Sequence, residues 1–229
     1  HILKDKYKFE YIYFEDDNIV SPVSHIMRIC DEILRRNLDI VWSCPAGVRV
    51  DMLTMDLLKA MKKAGCYLIA LGIESGNQNI LNNVNKKLVL AKVPKILDDM
   101  RSAGILSTGF FILGLPGETP QTARDTAAFA LNNNFDQVHF GHLLPLPGSR
   151  IFNTWLGSKS LDRINWDQFD VKQNSFWSTE GLAAAEIDKI RKQATRAFYF
   201  RPRTLFSTIS RVRPRQIPYL MQRVFRGEL

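Results

Sequence analysis

The sequence predicts an α/β fold in which parallel strands alternate with helices. Short apolar runs recur about every 30 residues, and most are followed by a helical pattern. Two of them, within 65–76 and 109–119, end at a glycine-containing turn and a glutamate. The carboxyl ends of parallel strands border the ligand crevice of such folds. We therefore expect polar side chains to gather at one edge of a parallel sheet.

The individual elements follow from apolar spacing and from turn residues. Strands are predicted near positions 11, 40, 68, 107 and 138. Helices are predicted over 23–36, about 57–64, from about 77, about 94–103, and 120–133. Gly65 and Gly104 end two of these helices, and Pro120 begins another. Residues 43–51 are predicted to form a loop, and we expect Ser75 and Gly76 to turn backbone N–H groups toward a ligand.

The pattern changes after residue 150. We expect 1–150 to form the β/α part and 151–229 to form a C-terminal cap with a basic helical tail. Residues 151–180 are aromatic-rich and predicted to be irregular, and 182–199 is predicted to be a helix. This mostly helical extension is interpreted as a lid over the β/α part.

The formal net charge of +8 is concentrated in the tail. A basic tail attracts nucleic acid or an acidic membrane surface, and a solvated helix or a contact to another segment explains it equally well. The arginines concerned are Arg201, Arg203, Arg211, Arg213, Arg215, Arg223 and Arg226.

Cys30, Cys44 and Cys66 are separated by 14 and 22 positions, which fits neither a disulfide framework nor a short-spaced metal site. We interpret them as reduced, buried side chains. No apolar run reaches the roughly 18 residues of a membrane span, and no leader opens the sequence. A soluble, cytoplasmic protein is therefore expected.

Several polar residues near strand ends are candidates for ligand binding. The carboxylates of residues 15–17 could hold a cation, or could cap the next helix. Arg49 could bind a carboxylate, or could pair with Asp51. His139 and His142 lie on opposite faces of their strand and could be structural or could touch a substrate.

Taken together, these motifs resemble the radical S-adenosylmethionine superfamily. The resemblance is to the branch that carries N-terminal cobalamin-binding domains, which includes anaerobic magnesium-protoporphyrin ester cyclases and many methyltransferases. It implies a partial (β/α)6 TIM-like barrel that holds strands 2–6, the first strand preceding His1. The resemblance depends on FEDDN at 14–18, Arg49, Asp51, AGC at 64–66, GIESG at 72–76, Lys86, FILGLPGET at 111–119, PLPGS at 145–149 and FYFRPR at 198–203.

Family members bind a [4Fe–4S] cluster through three cysteines spaced Cys-x3-Cys-x2-Cys. The cysteines of this sequence do not have that spacing. The resemblance therefore implies a fragment whose cluster ligands lie outside this chain, with an intact homologue that has lost its cluster as the alternative. No metal ligand or catalytic residue is assigned within the chain.

The resemblance also assigns a set of residues to S-adenosylmethionine. Asp16 and Asp17 stand where the family holds the methionine ammonium group. The remaining positions are Arg49 and Lys86 for the methionine carboxylate or ribose, Glu74 for the ribose hydroxyls, and Ile112 and Gly114 near the adenine.

The implied reaction is cleavage of S-adenosylmethionine to a 5′-deoxyadenosyl radical, used for substrate oxidation or cyclisation or for methyl transfer. It requires a small-molecule substrate, an electron donor such as flavodoxin or ferredoxin, and the segment that precedes this chain. Cobalamin is a candidate cofactor of the full-length protein. Two alternatives are a nucleic-acid-binding module that uses the arginine-rich tail, which we favour less, and a conventional phosphate-binding β/α-barrel enzyme.

Overall fold

A computed structural model describes residues 2–9, 11–157, 161–170, 174–210 and 214–226. Arg211 and Arg213 of the predicted basic tail lie outside these residues. The described strands are β1 (Tyr11–Tyr13), β2 (Val41–Val48), β3 (Cys66–Glu74), β4 (Leu106–Leu113) and β5 (Gln137–His142). The α-helices are α1 (Ile2–Tyr7), α2 (Val23–Arg35), α3 (Met55–Lys63), α4 (Gln78–Asn83), α5 (Val93–Ser102), α6 (Pro120–Asn132), α7 (Arg150–Leu156), α8 (Ala184–Tyr199), α9 (Pro202–Ile209) and α10 (Ile217–Arg226).

The described strands form one parallel sheet in the order β1-β2-β3-β4-β5. Tyr11 pairs with Val41, and Tyr13 pairs with Ser43. Spatial order equal to chain order, with a helix after each of β1 to β4, is the result of repeated right-handed β/α connections. The predicted α/β class and the partial-barrel type of fold are thus confirmed.

Strand β2 is longer than the sequence suggested. The loop prediction for 43–51 is wrong up to Val48, where the strand ends, and a 3-10 helix follows over Val50–Met52. The register between β2 and β3 shifts between Cys44 and Val48. Such a bulge accommodates Pro45, which has no N–H to donate, and Gly47, whose φ is +100°. Because proline and glycine are typical of turns, composition alone predicted a loop over 43–51.

The chain divides into two compact units, and the first contains His1–Ile73, Leu88–Phe110 and Asn132–Val138. Its core includes Trp42, which is fully buried and donates its indole N–H to the Ala64 carbonyl oxygen at 2.7 Å. Gly65 ends the α3 segment with φ +96°, and a Cβ there would lie 2.1 Å from the Ile40 carbonyl oxygen. Only glycine fits this turn.

The second unit contains Glu74–Lys87, Phe111–Leu131 and His139–Leu229. Its apolar cluster joins the end of β4 to α6 and α8, and its members are Leu113, Ala123, Leu182, Ile187 and Ile190. The predicted irregular segment after residue 150 begins instead with α7, which Ser149 caps by accepting a hydrogen bond from the Phe152 amide at 3.0 Å. The predicted boundary at residue 150 stays a prediction.

The aromatic side chains of the 151–180 segment pack on one another. Trp155 lies 5.7 Å from Phe169 and 5.5 Å from Phe176, measured between ring centroids, and the Phe169 and Phe176 rings are 4.9 Å apart. Edge-to-face and tilted contacts of this kind stabilise a segment that has little regular structure. Among the described residues, no helix is both long and apolar enough to cross a bilayer.

Candidate functional site

In the first unit, Asn18 connects the acidic turn after β1 to the end of β2. Its side-chain oxygen accepts a hydrogen bond from the Arg49 amide at 3.2 Å, and its side-chain nitrogen lies 3.7 Å from the Met52 sulfur. Asp16 and Asp17 are exposed in the same turn. The structure therefore brings three of the predicted binding residues, Asp16, Asp17 and Arg49, to neighbouring strand ends.

The Arg49 guanidinium is engaged in an ion pair. It donates to the Asp51 carboxylate through two hydrogen bonds, of 3.1 Å and 2.6 Å. This contact raises the pKa of Arg49 above its already high value, mainly through the hydrogen bonds to Asp51. Both side chains are about half exposed, so the pair lies within reach of a ligand carboxylate that could compete with Asp51.

In the second unit, Glu74 and Lys86 form an ion pair, which the sequence did not suggest. The Lys86 ammonium lies 2.8 Å from a Glu74 carboxylate oxygen, and the side chains are 31% and 23% exposed respectively. Glu74 has φ +67°, a left-handed conformation that non-glycine residues seldom adopt. The pair places one carboxylate and one ammonium group at the carboxyl end of β3.

The turn after β4 is held together by a buried carboxylate. Glu118, 0% exposed, accepts a short hydrogen bond from the Gly114 amide. The Gly114 carbonyl oxygen accepts a hydrogen bond of 2.8 Å from the Trp177 indole. Gly114 has φ +86°, and a Cβ there would lie 2.8 Å from an Ile187 methyl carbon. Both backbone polar groups of Gly114 are therefore engaged within the protein.

Burial raises the pKa of Glu118 to about 7, although hydrogen bonds from the Gly114 and Leu115 amides act in the opposite direction. Its second oxygen, Oε1, has no hydrogen-bond partner within the described part of the chain. In the sequence, Glu118 is distinguished only as part of the motif at 111–119. A glutamate two positions before a helix usually interacts with the helix N-terminus in solvent, so no sequence signal indicated its burial.

The expectation for Ser75 and Gly76 is wrong. The Gly76 amide donates to the Thr126 hydroxyl at 3.0 Å rather than pointing to a ligand, and Ser75 contacts the same hydroxyl at 3.1 Å. A Cβ on Gly76 would lie 2.5 Å from Cβ of Phe129. The glycine therefore allows α6 to approach the turn closely, which single-sequence reasoning could not distinguish from an anion-binding turn.

The two histidines of β5 differ in burial, as alternation predicts. His139 is partly exposed, whereas His142 is buried and lies within electrostatic range of Asp188 and Arg191 of α8. Burial, and next the Arg191 charge, lower the pKa of His142. Arg191 and Asp188 form a buried ion pair of 3.3 Å, and Asp188 accepts the Ser175 amide at 3.0 Å. This arrangement favours the neutral form of His142, whose two ring nitrogens have no hydrogen-bond partner within the described residues.

The cysteines do not fit a cluster-binding role. All three are buried and free, and burial raises the pKa of Cys30 to about 11 and that of Cys66 further. Iron–sulfur ligation requires thiolates that converge on one cluster. Across the described residues, no group of three His, Cys, Asp or Glu side chains could hold a metal ion.

A cavity of about 710 Å³ opens within the second unit. It is bordered by the turn after β4, by the first residues of α7 and by the segment 177–181. Arg150 and Glu180 are the exposed charged side chains at its wall. Its size is that of a small-molecule site, but its lining includes none of the residues assigned to S-adenosylmethionine and overlaps the 111–119 motif only at 116–119.

Comparison with known proteins shows the family of the chain. A family profile described as the Radical SAM superfamily matches residues 15–130. The chain is 28% identical over 208 residues to an uncharacterized methyltransferase from Pyrococcus horikoshii, covering 91% of this chain and 45% of that protein. It is 26% identical over 194 residues to cytidylyl-2-hydroxyethylphosphonate methyltransferase from Streptomyces wedmorensis, covering 79% and 36%.

A third relative is the anaerobic magnesium-protoporphyrin IX monomethyl ester cyclase of Rubrivivax gelatinosus, 29% identical over 142 residues, covering 61% of this chain and 25% of the cyclase. The chain thus spans less than half the length of these relatives. Among solved structures, the radical S-adenosylmethionine methyltransferase TsrM from Kitasatospora setae, with cobalamin and a [4Fe–4S] cluster bound, superposes with a TM-score of 0.55 at 16% identity, covering 62% of this chain and 30% of TsrM. That similarity supports the fold, and the comparisons support neither alternative function.

Proposed function

The chain belongs to the radical SAM superfamily, and from this premise we propose that it is the catalytic barrel portion of an enzyme for methyl transfer or oxidative cyclisation. The observations that carry the proposal are two sets of charged side chains inside the segment that the family profile matches: one follows β1 and β2 in the first unit, and one follows β3 in the second. A sulfonium nucleoside with an amino acid moiety has charges of both signs, and these side chains include partners for each.

We assign Asp16 and Asp17 to the methionine ammonium group. Both carboxylates are exposed in a turn that Asn18 ties to the end of β2, so they are accessible without a rearrangement of the core. A carboxylate within about 4 Å of an ammonium group favours the charged form of both. Arg49 is the candidate for the methionine carboxylate, in exchange for its contact with Asp51.

Glu74 is assigned to the ribose hydroxyls. An ionised carboxylate accepts two hydrogen bonds, which matches a vicinal diol, and the ion pair with Lys86 fixes the Glu74 side chain. In this arrangement Lys86 positions Glu74 and neutralises its charge. A direct contact of Lys86 with the nucleoside would require the ion pair to open.

Ile112 and Gly114 are assigned to the adenine. Since both polar groups of Gly114 are engaged by Glu118 and Trp177, its contribution is space rather than a hydrogen bond. Ile112 is half-buried near the end of β4 and offers an apolar contact. Stacking and exclusion of water are therefore the interactions that this part of the chain contributes.

The superfamily uses S-adenosylmethionine and a [4Fe–4S] cluster, which when bound supplies the electron that cleaves the sulfonium. Because the cysteines of this chain do not fit the cluster, we place its ligands in sequence outside the chain. Similarity to TsrM makes cobalamin a further proposed cofactor. We also propose a small-molecule substrate, reduction by flavodoxin or ferredoxin, and a cytoplasmic reaction.

The test is S-adenosylmethionine binding by the longer natural polypeptide, reconstituted anaerobically with iron and sulfide. Asp17→Asn and Glu74→Gln should each weaken binding roughly ten-fold, the loss of one charge-assisted hydrogen bond. Arg35→Gln, on the exposed end of α2, is the matched control and should bind normally. Equal affinity in all variants would refute the assigned residues.

The products distinguish the two reaction types and test the superfamily activity separately. Methyl transfer yields S-adenosylhomocysteine in addition to 5′-deoxyadenosine, whereas oxidative cyclisation yields 5′-deoxyadenosine without it. A reconstituted protein that forms neither nucleoside product under reducing conditions contradicts the proposal as a whole.

A further inference from the structure

The C-terminal helices carry an unusual distribution of charge. Residues 195–226 contain eight arginines and no aspartate, glutamate or lysine. Helices α9 and α10 occupy most of this stretch, and we refer to them, with Phe200 directly after α8, as the basic C-terminal surface. A segment of this composition has a positive potential that no acidic side chain of its own offsets.

Helix α10 is attached to the second unit through one side. Ile217, Leu220, Met221 and Val224 follow helical spacing, and Val224 is buried. Helix α10 packs against α8, and the Arg196 guanidinium donates to the Phe225 carbonyl oxygen at 2.7 Å. The helix is therefore a folded part of the unit.

Large aromatic side chains of the same helices remain in solvent. Phe206 is 77% exposed, Tyr219 is 64% exposed and Phe225 is 57% exposed. The Phe225 ring contacts the Phe200 ring at a centroid distance of 5.1 Å, and the Arg223 guanidinium lies 6.0 Å from the Tyr219 ring. Exposed aromatic side chains interspersed with arginines are typical of surfaces that bind a partner with both apolar and charged groups.

We propose that the basic C-terminal surface binds peripherally to an anionic lipid bilayer. Arginines attract acidic headgroups, while Phe and Tyr side chains insert at the boundary between headgroups and acyl chains. Arginine side chains can extend along the aromatic groups and keep their charge at the headgroup level. Because no described helix could cross a bilayer, the association is with its surface.

Two other occupants fit less well. A second copy of the chain, bound through the same surface, would bring two positively charged segments together, since residues 195–226 contain arginines and no acidic residue. Duplex nucleic acid would satisfy the arginines, but its phosphate backbone would leave Phe206 in water. A single strand, whose bases can stack on aromatic side chains, is distinguished by the test below. A bilayer with acidic headgroups satisfies both the charges and the aromatic groups.

The test is co-sedimentation of the 229-residue chain with vesicles. Phosphatidylcholine vesicles that contain about a third phosphatidylglycerol should bind the chain, and pure phosphatidylcholine vesicles should not. Raising the salt from about 0.05 M to about 0.5 M should weaken binding strongly, since screening shortens the range of the charges. The chain's far-ultraviolet circular dichroism should remain that of the folded protein in each variant.

Two sets of variants locate the surface. Arg203→Gln, Arg223→Gln and Arg226→Gln combined should weaken vesicle binding by roughly five-fold per arginine. Phe206→Ser with Tyr219→Ser should weaken binding at constant charge. The charge-matched control removes the same number of charges from exposed positions of α2 and α3, through Arg28→Gln, Lys59→Gln and Lys63→Gln, and should bind like the unaltered chain.

The proposal is overturned by equal binding to neutral and acidic vesicles, by no binding to either, or by equal effects of the control and the arginine variants. Tighter binding to a single-stranded oligonucleotide than to acidic vesicles would identify nucleic acid as the partner instead. Concentration-dependent dimerisation that the Phe206→Ser and Tyr219→Ser variant abolishes would identify a second copy. None of these measurements depends on catalytic activity, so they are independent of the proposed function.

Discussion

The buried carboxyl group of Glu118 should make the stability of the protein depend on pH in a recognisable direction. Burial raises its pKa from 4.5 to about 7 in the folded protein. Between these values the folded state binds more protons than the unfolded state, so the free energy of unfolding falls as the pH rises. The destabilisation begins near the unfolded pKa and is complete above the folded pKa.

The size of the effect follows from the difference between the two pKa values. At about 1.36 kcal/mol per pH unit, the full loss is about 3 kcal/mol. This is a large part of the 5–15 kcal/mol that is roughly typical of a folded domain. Glu118→Gln preserves the oxygen that accepts a hydrogen bond from the Gly114 amide, but it cannot ionise. The free energy of unfolding of this variant should therefore lack the fall that ionisation of Glu118 causes.

The assay is urea unfolding of both proteins from pH 4 to pH 8, followed by circular dichroism. Subtracting the two curves cancels all other titrating groups, including His142, whose lowered pKa acts in the opposite direction. The free energy of unfolding of Glu118→Gln minus that of the unaltered protein should grow by about 3 kcal/mol as the pH rises from below 4.5 to above 7. Trp177→Phe perturbs the same turn without removing a titrating group, so its difference curve should be flat.

A flat difference curve for Glu118→Gln would refute the reasoning, because it would mean that Glu118 ionises as readily in the folded protein as in water. An independent readout is the carbonyl band of a protonated carboxylic acid in infrared difference spectra. That band should be present at pH 5 and missing from Glu118→Gln.

Three further predictions concern packing and reactivity. Gly76→Ala should destabilise by about 1–3 kcal/mol in thermal denaturation, because its Cβ would overlap Phe129, whereas Gly141→Ala, with its nearest neighbour at 3.8 Å, should change stability by less than about 0.5 kcal/mol. Trp42→Phe should lower the free energy of urea unfolding by about 1–3 kcal/mol, since the buried Ala64 carbonyl oxygen loses its donor; an unchanged value would contradict this. The three buried cysteines should resist iodoacetamide in the native protein and react in urea, so rapid native labelling would show that they are accessible.

The sequence predicted the elements whose pattern is local. Helix α3 is an example, because the Thr54 cap, the apolar spacing and Gly65 each act within a few residues. The strand from Ser43 to Val48 was missed, since what maintains it is pairing with β3 around a bulge, and that pairing is not visible in composition. Local signals therefore gave the order of elements, while pairing determined their lengths.

The site shows the same division between composition and partners. Position at strand ends selected Asp16, Arg49 and Glu74, and the family resemblance added Lys86. The pairing of Arg49 with Asp51 was one of the two expectations for Arg49, whereas the partner of Glu74 depended on side-chain geometry. The contact between Glu74 and Lys86 spans 12 positions and a short helix, and no periodic pattern indicates it. Residue type and position thus located charged groups near strand ends without showing that Glu74 and Lys86 already neutralise each other.

This neutralisation has a consequence for how the predicted nucleoside site could work. If Arg49 remains with Asp51 and Lys86 with Glu74, the uncommitted charge of the assigned residues is that of Asp16 and Asp17, which matches a cation. In the turn after β4, Glu118 likewise takes up the amides of Gly114 and Leu115, leaving shape and apolar contact for the adenine. Recognition would then depend on charge at the methionine end and on packing at the base. The loss of S-adenosylmethionine affinity that a substitution causes should therefore depend strongly on salt concentration at Asp17 and weakly at Ile112.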